Sequence, residues 1–165
     1  MQDGGHDCSL MSMESKRRGG FLLKNDNHYM AHVDEFPPAK VGLDEGWRNM
    51  DIRFVITDAL AGSGNLCLFR TVFGPGAAHE RHTHENAAEF LYVIRGRAAV
   101  GSESDEYEAV AGTLQYIPAG KIHWLRNLDP DEPVELVGGY VGAGDLEGTG
   151  YRFVSQITEE FRKVK

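Results

Sequence analysis

From Asp51 to Val141 the chain is cut into short alternating segments by Gly, Pro, Asp and Asn, and that rhythm leaves no room for helices between strands. Ile52, Phe54 and Ile56 alternate with Asp51, Arg53, Val55 and Thr57, the period of a half-buried strand. The run from Ala61 to Asn65 has turn chemistry, and further strands are predicted over 66–73, 81–84, 89–95, 97–101, 106–110, 113–117, 122–127 and 134–141. A parallel sheet would need crossover connections of about a dozen residues or more, which this spacing excludes. The prediction is an all-β sandwich or barrel.

With 165 residues, 41% of them hydrophobic, the chain suffices for one domain with its own core. Residues 1–20 show no hydrophobic period and are expected to form a disordered or weakly ordered tail. Residues 21–60 read as an N-terminal arm, stiffened by Phe36, Pro37 and Pro38, together with the first strands. The barrel core is expected over 61–145 and a C-terminal extension over 146–165, where Thr158 caps a short helix with Glu159 and Glu160 in its first turn. A formal charge of −8 argues against a nucleic-acid partner, which calls for clustered Lys and Arg. No apolar stretch approaches a membrane span or a secretory signal, so no membrane association and a cytoplasmic location are expected. The two cysteines, Cys8 and Cys67, make no disulfide framework.

Two spaced patterns carry the chemistry. The first runs Gly76, His82, His84, Glu89, Gly96 and the second Gly112, Pro118, Gly120, His123, Asn127. In a strand His82 and His84 point to one face and Thr83 to the other. If Glu85 to Ala88 is a hairpin connection, Glu89 stands directly across from His84, and three ligands converge from one hairpin. After the turn at Pro118 and Gly120, His123 returns on a strand with Leu125 and Asn127 on its face, and closure of the barrel brings it to the other three. Three imidazoles and a carboxylate without thiolate suit one divalent transition metal with open positions, Fe or Mn first, with Ni, Co and Zn also compatible. Glu89 is in addition the candidate catalytic base. Glu80 and Glu85 are read as bystanders, as are His6, His28, His32 and His79, although His79 reaches the site if its segment folds inward. Leu91 and Val93 share the face of Glu89 and make an apolar floor. Arg70, Tyr92, Gln115, Tyr116 and Trp124 are the candidate substrate contacts, weighed against packing in the core or on the outer sheet.

At every specified position the two patterns resemble the paired signature motifs of the cupin superfamily, over roughly residues 66 to 141. The resemblance implies a double-stranded jelly-roll barrel, a metal held by His82, His84, Glu89 and His123, and a homodimer whose N-terminal arm packs on the partner's sheet. It leaves the reaction open. The reading preferred here is a metal-dependent enzyme acting on a small organic substrate as a non-haem dioxygenase. A decarboxylase, lyase or isomerase and a noncatalytic small-molecule-binding cupin are the alternatives.

Overall fold

The structure, a computed structural model, describes residues 22–25 and 28–165. The expected tail over 1–20 lies outside the described residues. Two units are distinguished, residues 1–35 and 36–165. In the first, β1 (Leu22–Asn25) and β2 (His28–Ala31) pair antiparallel, Leu22 with Ala31 and Asn25 with His28.

The second unit is a two-layered, curled β structure that matches the predicted jelly roll. Its strands are β3 (Trp47–Ile56), β4 (Leu66–His84), β5 (Ala88–Arg95), β6 (Arg97–Ser102), β7 (Asp105–Val110), β8 (Leu114–Ile117), β9 (His123–Asn127), β10 (Val134–Val141) and β11 (Tyr151–Ser155). A one-turn helix α1 (Asp58–Ala61) joins β3 to β4, capped by the Thr57 hydroxyl, which accepts from Leu60 N–H.

Strand β4 joins the layers. Along one edge its first half, through Phe73, pairs with β10 and its second half, from Ala78, with β9, while β3 follows the other edge past the bend as far as His79. The change of partner falls at Gly74, Pro75 and Gly76, and Gly76 has a φ of +70°, where a side chain would be strained. The sequence reading broke β4 into two strands at this point. The chain turns a corner there without leaving the strand. One layer therefore runs β8, β5, β10, first half of β4, β3; the other runs β7, β6, β9, second half of β4, β11.

Alternation sets the core. Cys67, Phe69, Thr71 and Phe73 of β4 are buried while Leu68, Arg70 and Val72 face outward and are only partly covered. Ile52, Leu91, Val93, Val134, Leu136, Ile117 and Leu125 join them between the layers. Each of the Val, Leu, Ile and Phe side chains among them contributes about 1.5–3 kcal/mol by leaving water. Asn127 holds the corner from below: its amide donates to the carbonyls of Phe73, Gly74 and Glu132, and its oxygen accepts from Asp129 N–H.

The C-terminal segment closes a second cluster outside the barrel, with Trp124, Ala78 and Ile157 buried together and Phe161 packed on them. Glu106 is fully buried beneath it and accepts from Arg126 Nε and Nη2 at 2.8 and 2.7 Å and from Trp124 Nε1 at 3.1 Å. The helix expected after Thr158 does not form. Phe161 N–H bonds Thr158 O and Arg162 N–H bonds Glu159 O, a single turn, after which the chain docks through Lys165 N–H on Glu106 O. Among the described residues no helix is long and apolar enough to cross a membrane.

Candidate metal centre

His82 and His84 lie on the inward face of β4, and His123 opens β9 as the register partner of His82. Glu89 lies on β5, paired with Tyr140 of β10 on one side and Ile117 of β8 on the other. One nitrogen or oxygen from each of the four lies within 4.8 Å of the others, and all four residues are buried. The four residues picked from spacing thus come together, but by a different route. The hairpin expected between His84 and Glu89 is not formed, because both edges of β4 are already taken: His82 pairs with His123 on one side and Phe153 of β11 on the other. The connection instead runs beside the Thr149 and Gly150 backbone, Asn86 N–H bonding Thr149 O and Glu85 N–H bonding Gly150 O, and enters the opposite layer. Three imidazoles come from one layer and the carboxylate from the other.

Hydrogen bonds fix which nitrogen each ring turns inward. His82 Nδ1 is 2.7 Å from Glu80 O and His123 Nδ1 is 2.9 Å from Lys121 O. A carbonyl only accepts, so both Nδ1 atoms carry the proton. His84 Nδ1 is 2.9 Å from the Thr149 hydroxyl, which donates to Leu146 O at 2.6 Å and so accepts from the imidazole. Each ring is left with Nε2 facing the centre, the arrangement that metal-binding histidines need.

Two of those inward atoms, His82 Nε2 and His84 Nε2, are buried without a hydrogen-bond partner. Buried polar atoms are rarely left so, and two lone pairs aimed at one carboxylate fit a divalent cation. Glu89 Oε2 is 2.7 Å from His123 Nε2 and 3.3 Å from His84 Nε2. Burial opposes ionisation of Glu89, but the hydrogen bond from His123 and the nearness of the His123 and His84 imidazoles outweigh it and hold its carboxyl well below the usual carboxylate range. Burial likewise opposes charge on His123, and the Glu89 carboxylate overcomes it and raises the imidazole. His82 goes the other way: burial, then neighbouring imidazoles, push it well below the ordinary histidine value. This donor set can hold one metal ion.

Beside it the core leaves a small cavity of about 20 Å³, room for about one water-sized group. Phe69, Phe73, Leu91, Leu136 and Ile52 make its apolar wall, with Tyr140 and Thr71 as hydroxyl groups. His79 also lines it, reversing its reading as a bystander. A register shift in β4 between His79 and His82 brings both rings inward. His79 stacks between Trp47 and His82 at ring-centroid distances of 3.8 and 3.6 Å. Its Nε2 lies 3.3 Å from the Tyr151 hydroxyl, which donates to Glu45 O, so His79 Nε2–H is the donor to Tyr151. Burial first, then the neighbouring imidazoles, keeps His79 neutral, well below its ordinary value despite the Glu89 charge.

The substrate candidates fare differently. Arg70 is on the outer face of β4, paired with Glu135 at 2.8 Å. Tyr92 and Tyr116 are exposed on the outer face of their sheet. The Trp124 indole packs against Phe161 outside the barrel, although the residue borders the cavity. Gln115 shares the inward face as the partner of Leu91 but does not line the cavity. Glu80 is structural: it accepts from Ile157 N–H at 2.7 Å and pairs with Arg48 at 3.3 Å. Trp47, Thr71, Tyr140, Thr149 and Tyr151 were missed; strand parity with Leu136 and with Phe69 was the available signal for Tyr140 and Thr71, and nothing local marked the others.

The family model for the cupin domain matches residues 69–139, the stretch that carries all four residues of the cluster. A solved structure of a cupin-like protein from Thermotoga maritima superposes with a TM-score of 0.62 at 24% identity, over 75% of this chain and 90% of that one. Residues 69–139 form a cupin domain. Among curated proteins this cupin is 28% identical over 90 residues to germin-like protein subfamily 2 member 4 of Arabidopsis thaliana, covering 50% of this chain and 41% of the relative. It is 27% identical over 85 residues to the polyketide synthase CurC of Streptomyces cyaneus, covering 52% of this chain and 55% of the relative. It thus spans about half the length of the curated relatives it matches.

Proposed function

We propose that this cupin is a metal-dependent enzyme that takes a small, largely apolar organic molecule into the barrel and oxidises it with dioxygen, with Fe or Mn as the metal. The observation that carries this is the pair of unpartnered imidazole nitrogens facing one carboxylate in a cavity walled by Phe69, Phe73, Leu91 and Leu136. His82, His84, Glu89 and His123 would hold the ion, which supplies a Lewis acid and open positions for a substrate oxygen and dioxygen. The chain's own side chains do the rest. Tyr140 lines the cavity beside Glu89, and burial together with the Glu89 charge keeps its hydroxyl protonated far beyond the ordinary tyrosine range, so it donates to a substrate oxygen. Glu89 is the carboxylate placed to take a substrate proton. The aromatic wall excludes water, which strengthens each of these polar contacts.

A non-oxidative reading, a lyase or isomerase using Glu89 and Tyr140 as base and acid, is favoured by the proximity of those two groups in register. Elemental analysis of purified protein and turnover of a panel of phenolic compounds in air and under argon decide between them. The proposal expects one metal per chain and product only with oxygen. Product formed equally under argon removes the dioxygenase and leaves the non-oxidative enzyme. Ligand-induced thermal stabilisation with no product from any compound would mark a binding protein.

A further inference from the structure

The cavity beside the four-residue cluster has room for about one water-sized group, so it admits one oxygen function of an organic molecule and not the body that carries it. Outside the barrel wall lies a larger space. An open cleft of about 550 Å³, a volume usual for a small-molecule site, is bordered by Val41, Trp47, Asn49, Met50, Asp51 and Val72. Trp47 and Met50 border both the cleft and the cavity and form the partition between them.

The wall is weakest in pairing at that point. Strand β3 pairs with β4 at Arg48–Ala78 and again at Met50–Phe73, so Asn49 alone stands against Gly74 to Ala77 and no register pair joins the strands there. Asn49 has a φ of +51°, the left-handed region that a side chain adopts at a cost, and its amide donates to Pro75 O at 3.0 Å. Gly74 lets it lie close, since a Cβ there would come within 2.6 Å of Asn49 Nδ2. By contrast, β10 pairs with β4 without interruption from Val134 to Val141. The two partition residues differ in freedom. Trp47 is buried and stacked on His79 at 3.8 Å, and His79 stacks in turn on His82 at 3.6 Å. Met50 is half-buried, and its unbranched thioether side chain can turn into the cleft without breaking a strong hydrogen bond. Among the described residues no Lys or Arg borders cleft or cavity, and both Asp51 oxygens already accept from Arg53, at 2.9 and 3.0 Å. An anionic body would enter without a free countercharge.

We propose that the cleft binds the body of the substrate, an uncharged apolar molecule of aromatic size, and that Met50 is the door through which its oxygen-bearing end reaches the cluster, with Trp47 fixed beside it. This rests on the enzyme reading for what happens at the cluster, whereas the route stands on the wall alone.

The test is carbethoxylation of the metal-free protein by diethyl pyrocarbonate, a small neutral reagent that acylates an imidazole nitrogen with a free lone pair, as His82 and His84 Nε2 have. Mass spectrometry reads the rate at the peptide carrying His82 and His84, with the exposed His28 as internal control. Met50→Ala is expected to raise that rate about tenfold, the scale on which removing part of a packed side chain shifts a local opening. Met50→Phe, and Val72→Trp, which fills the cleft from the outer face of β4, should lower it by a similar factor. Leu136→Ala, which loosens the cavity wall away from the cleft, should change it little. Coumarin should slow labelling of the wild type and lose that effect in Val72→Trp, and coumarin-3-carboxylate should protect much less. Equal acceleration in Met50→Ala and Leu136→Ala, unchanged rates in Met50→Phe and Val72→Trp, or equal protection by the two coumarins overturns the proposal. If Met50→Ala does not fold, Met50→Phe and Val72→Trp decide by themselves. If the enzyme reading alone is wrong, elemental analysis finds no metal or no compound turns over, while labelling still follows Met50 and Val72; a wrong route leaves metal content untouched.

Discussion

Thr149 touches no ligand atom at the centre, yet replacing it should weaken metal binding more than it weakens the fold. Its hydroxyl accepts from His84 Nδ1 at 2.9 Å and donates to Leu146 O at 2.6 Å, and the residue is fully buried. Thr149→Val preserves shape and removes one oxygen. Leu146 O keeps a donor, because Thr149 N–H also bonds it at 3.2 Å. The imidazole is what suffers: a buried donor left without an acceptor costs about 1–3 kcal/mol. Without metal His84 escapes by moving its proton to Nε2, which lies 3.3 Å from Glu89 Oε2, and the metal-free protein loses little. That proton then occupies the lone pair a metal needs. Loading must move it back and restore the unsatisfied Nδ1–H, so affinity should fall about 10- to 100-fold, as for other partners of metal-bound histidines. Competition with a chromogenic chelator measures the affinity, and thermal unfolding of chelated protein measures the fold. Thr149→Ser, which restores the oxygen, should recover most of the loss. Wild-type affinity in Thr149→Val would refute the tautomer argument, and so would an affinity loss matched by an equal loss of metal-free stability.

Three further outcomes follow from the same geometry. His123→Ala should lose metal by elemental analysis yet keep its β circular dichroism, since the barrel is held by its apolar interior; unfolding at room temperature would contradict this. His123 carries a raised pKa through Glu89, so its imidazolium persists at pH 6.5 and is lost as pH rises through the raised value. Metal loading must expel that proton, so calorimetry in buffers of different ionisation enthalpy should show proton release that is largest at about pH 6.5 and smaller at about pH 9. Gly101→Ala should lower Tm by at least about 2–4 °C, because its Cβ would come within 1.8 Å of Trp124 Cε2, a clash worth about 1–3 kcal/mol. An unchanged melting curve would mean that the indole moves freely.

The strands were legible because alternation survives whatever a strand pairs with: Phe69, Thr71 and Phe73 face inward on residue parity alone. Parity also explains why the four residues converge as expected although the hairpin linking three of them does not form. The side that His82, His84, Glu89 and His123 face depends on local phase, whereas pairing depends on which edges are free, a property of the whole sheet. The same rule, applied to every candidate, would have removed Arg70 and Tyr92, which alternate out of phase with Phe69 and with Leu91. Other elements left no local trace. Gly74, Pro75 and Gly76 read as a break when they are a corner, and Tyr151–Ser155 is a strand only because β4 offers it an edge. His79 faces inward only through a register shift.

The correction to the hairpin changes what the centre does for the molecule. Ligands from one hairpin would let a metal clip a local loop, leaving the rest of the barrel indifferent to its presence. Here His82, His84 and His123 belong to one layer and Glu89 to the other, so a bound ion links the two sheets across the core they enclose. Anything that separates the layers dissolves the site, and the metal therefore binds only the closed barrel. Its binding free energy then adds to global stability, about 2.7 kcal/mol at a hundredfold excess over Kd. The cavity lies in the same gap, bounded by Phe69 and Leu136 from one layer and His82 and Leu125 from the other. The four-residue cluster, the cavity and the packing of the layers share one space, which is how Thr149, outside the span matched by the family model, comes to orient a ring at its centre.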